Sequence, residues 1–263
     1  MHIDAARIAA LTSRPAPGVR PLELHRDGSV FWVGFGLAAQ AALETIFDSD
    51  CQAPVELFVL DLPEPDALAR SLELVALIKK NLRGFVLARL AFWPERPRLE
   101  AAYARGVDLV EFSLDPAADW DGEGGRDQLA GLAQALTIFP RWAVVARLRW
   151  SSVPQVMAAA AEELLRRQIL PLAGLDASCA PADQERIEEV FLGLADAWRR
   201  AGVSLRPLLP LIEQTTPLTR RAPRSLVGNL LGRAEDARLR AGSDLRRLLR
   251  VRQVEQSFDS AGL

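Results

Sequence analysis

Short runs of Val, Leu and Phe alternate along the chain with longer segments in which apolar residues recur every three or four positions. The first pattern predicts strands, and the second predicts helices with one face toward a core. The strand-like runs fall at 29–35, 55–62, 85–92, 108–115, 143–150, 169–175 and 204–212. Helices are predicted between them: 37–47, 65–81, 98–105, a segment ending near 139 after an acidic Gly-rich loop (119–127), 154–168 and 182–201. Pro65 suits a first helical turn, where no backbone N–H is needed. Gly106 and Gly202 stand where a helix ends in a left-handed residue. Residues 55–60 and 143–145 are apolar on both faces, as parallel strands covered by helices are. The fold class expected is α/β: a (β/α) barrel, complete or partial, of about six to seven parallel strands with C-terminal helices. An open doubly wound sheet is the competing architecture. Three segments are expected: an N-terminal helix and Pro-rich linker (1–28), the barrel (29–215) and an arginine-rich helical extension (216–263).

Composition narrows the classes. Of 263 residues, 49% are apolar and 25% charged, which suits a folded chain with a sizeable core. The net charge of −2 provides no general field for nucleic acid or anionic lipid, so neither partner is expected. Cys51 and Cys179 are the two cysteines, too few for a disulfide framework, and a reducing, cytoplasmic setting is expected. The first residues carry an acid early and no long apolar run, so neither a signal peptide nor a membrane span is expected there. Both histidines, His2 and His25, precede the strand–helix repeat, which argues against a His-based metal site or a Ser-His-Asp triad. From Arg220 to Arg252 arginines far outnumber the three acids Glu235, Asp236 and Asp244. Such a stretch is either a helical face docked on an acidic part of the same chain or a contact for a partner protein or polyanion. It has no interleaved aromatics, which weakens a nucleic-acid role.

In a parallel α/β fold, chemistry gathers where strands end. The polar residues at those ends include Gly34 and Gly36, Asp61 and Glu64, Arg89, Ser113 and Asp115, Arg147 and Arg149, Asp176 and Glu213. Gly34-Phe35-Gly36-Leu37-Ala38-Ala39 follows an apolar strand and opens a helix, the context of a phosphate-cradling dinucleotide turn. Asp61 ends the next strand, where a ribose-binding acid belongs. This predicts a nucleotide-dependent transferase or oxidoreductase; the structural alternative is glycine used for close helix–strand packing. Arg147 and Arg149 point the same way along one strand. Either they pair with Glu111 or Asp115 in a structural network, or they hold a phosphate or carboxylate.

The segments Asp61-Leu62-Pro63-Glu64-Pro65 and Gly106-Val107-Asp108 through Ser113-Leu114-Asp115 resemble motifs of the radical S-adenosylmethionine barrel family. That resemblance implies a partial barrel over roughly 29–215. It implies Glu64 and Pro65 near the amino group of the nucleotide ligand, and Ser113 and Asp115 near its ribose. The family's three-cysteine loop after the first strand is missing, since this chain has Gly34-Phe35-Gly36-Leu37 there, so no iron–sulfur cluster is expected. The resemblance thus implies a cluster-less, non-catalytic barrel that binds a partner protein or a small anionic ligand, with S-adenosylmethionine or another nucleotide as possible cofactor. A third expectation is an interaction protein acting through its basic C-terminal helices.

Overall fold

A computed structural model describes residues 1–118, 120, 122–179 and 183–220, together with 238, 241, 242, 244, 245 and 247. Most of the arginine-rich extension therefore lies outside the described residues. So do 119 and 121, at the start of the acidic loop.

A seven-stranded sheet organises the chain. Its strands are β2 (Leu24–Asp27), β3 (Val30–Val33), β4 (Leu57–Leu62), β5 (Phe85–Leu90), β6 (Leu109–Leu114), β7 (Val144–Leu148) and β8 (Leu170–Leu172), in that spatial order. β2 and β3 form an antiparallel hairpin, and β3 to β8 are parallel. Helices α2 (Ala39–Gln52), α3 (Pro65–Asn81), α4 (Arg96–Arg105), α5 (Glu123–Leu136), α6 (Pro154–Arg166) and α7 (Gln184–Arg200) link or follow these strands. Each crossover steps to the next strand in the same direction. Right-handed crossovers of that kind lay every helix on one face of the sheet, and α2 packs on α3, α3 on α4, α4 on α5 and α6 on α7. The sequential order fits a partial (β/α) barrel.

The helices obey their apolar stripes. α3 buries Leu68, Leu74, Val75 and Ile78, and α7 buries Ile187, Val190, Phe191, Leu194 and Trp198. The Trp198 indole N–H donates to the carbonyl of Pro171 (2.9 Å), which satisfies a polar group in the core. Gly106 (φ 122°) and Gly202 (φ 63°) end α4 and α7 with the backbone expected of them.

Three expectations change. The run at 204–212 is not a strand: residues 206–208 form a short 3-10 turn that leads into α8 (Leu209–Thr215). Its apolar side chains Leu208, Leu211 and Ile212 are buried all the same, and an apolar run this short does not distinguish a buried strand from a buried helix. α5 begins at Glu123, inside the segment expected as a loop. The burial of Leu132 and Ala135 on its inner face outweighs the poor helix propensity of its glycines. The first 28 residues are more than a helix and linker. β1 (His2–Ile3) pairs with β9 (Leu218–Thr219), α1 (Ala6–Thr12) buries Ile8 and Leu11 in the core, and β2 extends the main sheet.

Candidate functional site

Four consecutive parallel strands each carry a charged residue inside an otherwise apolar run: Asp61 on β4, Arg89 on β5, Glu111 on β6 and Arg147 on β7. Register decides what they do. Asp61, Arg89 and Glu111 are direct cross-strand partners and form one row, and Arg147 pairs with Ser113 one pleat further toward the carboxyl ends. Alternation sends all of them to the sheet face opposite the helices.

Arg89 is the hub. Its Nε donates to Glu111 Oε1 (2.6 Å), and its Nη1 donates to Asp61 Oδ1 (3.2 Å) and to the carbonyl of Pro17 (3.0 Å). The guanidinium lies over the Trp32 ring, 4.9 Å from its centre. Asp61 Oδ2 accepts the Val19 N–H (3.2 Å). The Pro-rich link thus runs across the strand ends and spends its backbone groups on this cluster. Glu111 is fully buried and shares Oε1 with Arg147, whose Nη1 is 3.6 Å away. Three polar valences stay open. Arg89 Nη2 and Glu111 Oε2 are buried without a hydrogen-bond partner. Arg147, with its side chain only 19% exposed, makes no hydrogen bond among the described residues.

These groups line a cavity of about 290 Å³ at the carboxyl ends of the strands, walled by Val19, Phe35, Leu62, Pro63, Leu90, Ala91 and Ser113 as well as the four charged residues. Burial holds the Asp61 carboxyl above its ordinary pKa, Arg89 partly offsets this, and the nearby Glu111 charge adds to the rise. Burial also lowers the pKa of Arg147, helped by the like charge of Arg89 and opposed by Glu111 and Asp176.

The structure brings together Asp61, Arg89, Ser113 and Arg147 from the sequence-predicted set, with Asp176 close enough to act on Arg147, and leaves the others apart. Gly34 and Gly36 face the preceding chain. Their N–H groups donate to the carbonyls of Glu23 (3.0 Å) and Pro21 (2.8 Å), and a Cβ on Gly34 would collide with the carbonyls of Arg20 and Pro21. Neither glycine N–H is therefore free to cradle a phosphate, and both glycines serve a close backbone approach. Glu64, at the start of α3, is exposed and pairs with Arg70 (3.0 Å). Asp115 and Arg149 pair with each other at the surface (2.6 Å). Glu213 accepts from Arg220 Nε (2.8 Å), and Arg220 also approaches Glu56, just before β4 and so at the opposite end of the sheet. Cys51 is exposed on α2 and Cys179 is buried beyond β8, so no thiolate set for a cluster is assembled. Among the described residues no group of three or more His, Cys, Asp or Glu could hold a metal ion. No helix among them is long and apolar enough to cross a membrane.

Arg89 and Glu111 are the residues that sequence reading underrated, Glu111 having entered only as a structural partner for the arginines. The signal was present: a single charge in an apolar strand flanked by strands with opposite charges. Comparison with known proteins gives no relative to lean on, as no family model, curated protein or solved structure matches the chain.

Proposed function

We propose that this chain is a non-catalytic, barrel-like binding protein that takes a small ligand through its anionic group, a carboxylate or phosphate, at the mouth formed by β4 to β7. The observation that carries this reading is Arg147. A mostly buried guanidinium has five N–H donors in a planar fork, and here none makes a hydrogen bond among the described residues, the ion pair with Glu111 being a long one at 3.6 Å. Such a group is expensive to bury unless an anion completes it, and the cavity beside it has room for one.

The sequential run of six parallel strands supports the barrel half of the resemblance to the radical S-adenosylmethionine family. The positions of Glu64 and Asp115, each turned to a surface arginine, do not favour that family's mode of holding its nucleotide. The occupied N–H groups of Gly34 and Gly36 argue in the same way against a nucleotide-dependent transferase or oxidoreductase.

The test is calorimetric titration with inorganic phosphate and a series of small monocarboxylates. At least one should bind, and Arg147→Gln should weaken it about 10- to 100-fold, the range for losing charge-assisted hydrogen bonds of roughly 1.5–3 kcal/mol. Binding that is unchanged in a folded Arg147→Gln variant removes the reading.

A further inference from the structure

Resting on the reading that Arg147 takes an anionic group, the row of side chains beside it describes the rest of the ligand. Leu62, Leu90 and Phe112 are cross-strand partners on β4, β5 and β6. The residues that follow them, Pro63, Ala91 and Ser113, therefore stand side by side, and Ser113 is the partner of Arg147 on β7. Alternation puts this row on the sheet face of Asp61, Arg89 and Glu111, one pleat nearer the mouth. Arg89 Nη2 and Glu111 Oε2 are sealed off, but this row opens into the cavity. Pro63, Ala91 and Ser113 are exposed, and the Arg147 nitrogens keep accessible surface.

From β7 to β4 the row changes character: a cation, a hydroxyl, then two apolar residues. The Ser113 hydroxyl makes no hydrogen bond among the described residues, and it stands one strand spacing, about 4.8 Å, from the Arg147 strand. Gly174 leaves the other side of Arg147 open, since a Cβ there would lie 3.2 Å from Nη2. Val19, bonded to Asp61, and Phe35, just after β3, extend the apolar end beyond Pro63. Charge decides between the two kinds of anion. Asp61, Glu111 and Asp176 already outnumber Arg89 and Arg147. A phosphate brings close to two negative charges at neutral pH and a carboxylate one. A site that solvates charge poorly penalises the larger excess.

We propose that the ligand is a monocarboxylate with an apolar body, its carboxylate held by Arg147 and the Ser113 hydroxyl and its body lying over Ala91 and Pro63 toward Phe35.

The whole chain is titrated calorimetrically with acetate, butanoate, hexanoate and octanoate, beside inorganic phosphate and 1-hexanol. Affinity should rise about 4-fold for each methylene buried. Hexanoate should bind about 10-fold or more tighter than phosphate and than 1-hexanol. Ser113→Ala should weaken every carboxylate by one common factor of about 10. If affinity does not grow with length, or phosphate binds as tightly as hexanoate, the monocarboxylate is overturned, while binding that Arg147→Gln weakens keeps the anion reading. Carboxylate binding unchanged in Ser113→Ala overturns the role given to that hydroxyl. If 1-hexanol binds as tightly as hexanoate, or nothing in the series binds, both readings fall. Should Ser113→Ala fail to fold, the wild-type series alone decides the ligand class.

Discussion

Asp61 shows how one residue reads its surroundings. It sits at the end of an apolar strand, accepts a hydrogen bond from Val19, and pairs with Arg89, yet its carboxyl is pushed up because burial outweighs those partners. The folded chain therefore keeps the Asp61 proton to higher pH than the unfolded chain does. By linkage, its contribution to stability is intact below the unfolded pKa and falls as pH rises from there through the raised folded value. Asp61→Asn removes this titration, so the variant should gain stability relative to wild type as pH is raised across the acid range, measured as urea midpoints at a series of pH values. A variant that loses ground with rising pH would contradict the assigned cause. Neighbouring Glu64 shows the opposite limit: three residues away, exposed and paired to Arg70, it is a surface ion pair of the kind worth ~0–1 kcal/mol.

At the scale of elements, the end of the sheet opposite the cavity has its own polar knot. Asp108, just before β6, holds Lys79 of α3 through Oδ2 (3.0 Å) and Arg247 through Oδ1 (3.0 Å). Arg247 also donates to the carbonyl of Tyr103 at the end of α4 (2.6 Å) and stacks over the Tyr103 ring at 5.3 Å. At Arg247, then, the arginine-rich extension docks on an acidic part of the same chain, one of the two roles its charge suggested. Arg247→Ala leaves Lys79 to compensate Asp108, so a loss of about 1–3 kcal/mol is expected, the range for stranded buried partners. Urea denaturation measures it, and an unchanged midpoint would mean that the docking adds nothing. The β2–β3 hairpin was legible in part. Its two-residue Gly28-Ser29 loop, with Gly28 at φ 57°, is a short-range hairpin signal. A Pro-rich approach and a mere four residues per strand concealed it. α8 was not legible, because Leu208, Leu211 and Ile212 are buried together in a run too short to show a period.

For the molecule as a whole, the N-terminal segment ties distant parts together. β1 pairs with β9, the Asp4 N–H donates to Pro217 O (2.8 Å), Arg7 reaches the carbonyl of Glu213, and the Ala177 N–H donates to Arg14 O (2.7 Å). Removal of residues 1–13 should lower stability by about 3–6 kcal/mol, from the exposure of the sites of Ile8 and Leu11 at roughly 1.5–3 kcal/mol each. A truncated chain with the wild-type urea midpoint would make this segment an appendage. The sequence by itself determined the alternation of strands and helices, most of their positions and the parallel character of β3 to β8. Local periodicity and buried apolar runs carry that information within a few residues of each other. It also marked Asp61, Arg89, Ser113 and Arg147 as strand-end candidates. Only the tertiary structure decided which candidates meet. Gly34 and Gly36 turned to the preceding chain, Glu64, Asp115 and Glu213 found nearby arginines, and Arg89 and Glu111 became the centre of the site. Cross-strand register and the path of the Pro-rich link fixed that outcome. Both depend on contacts between residues far apart in the chain, and no local pattern encodes them.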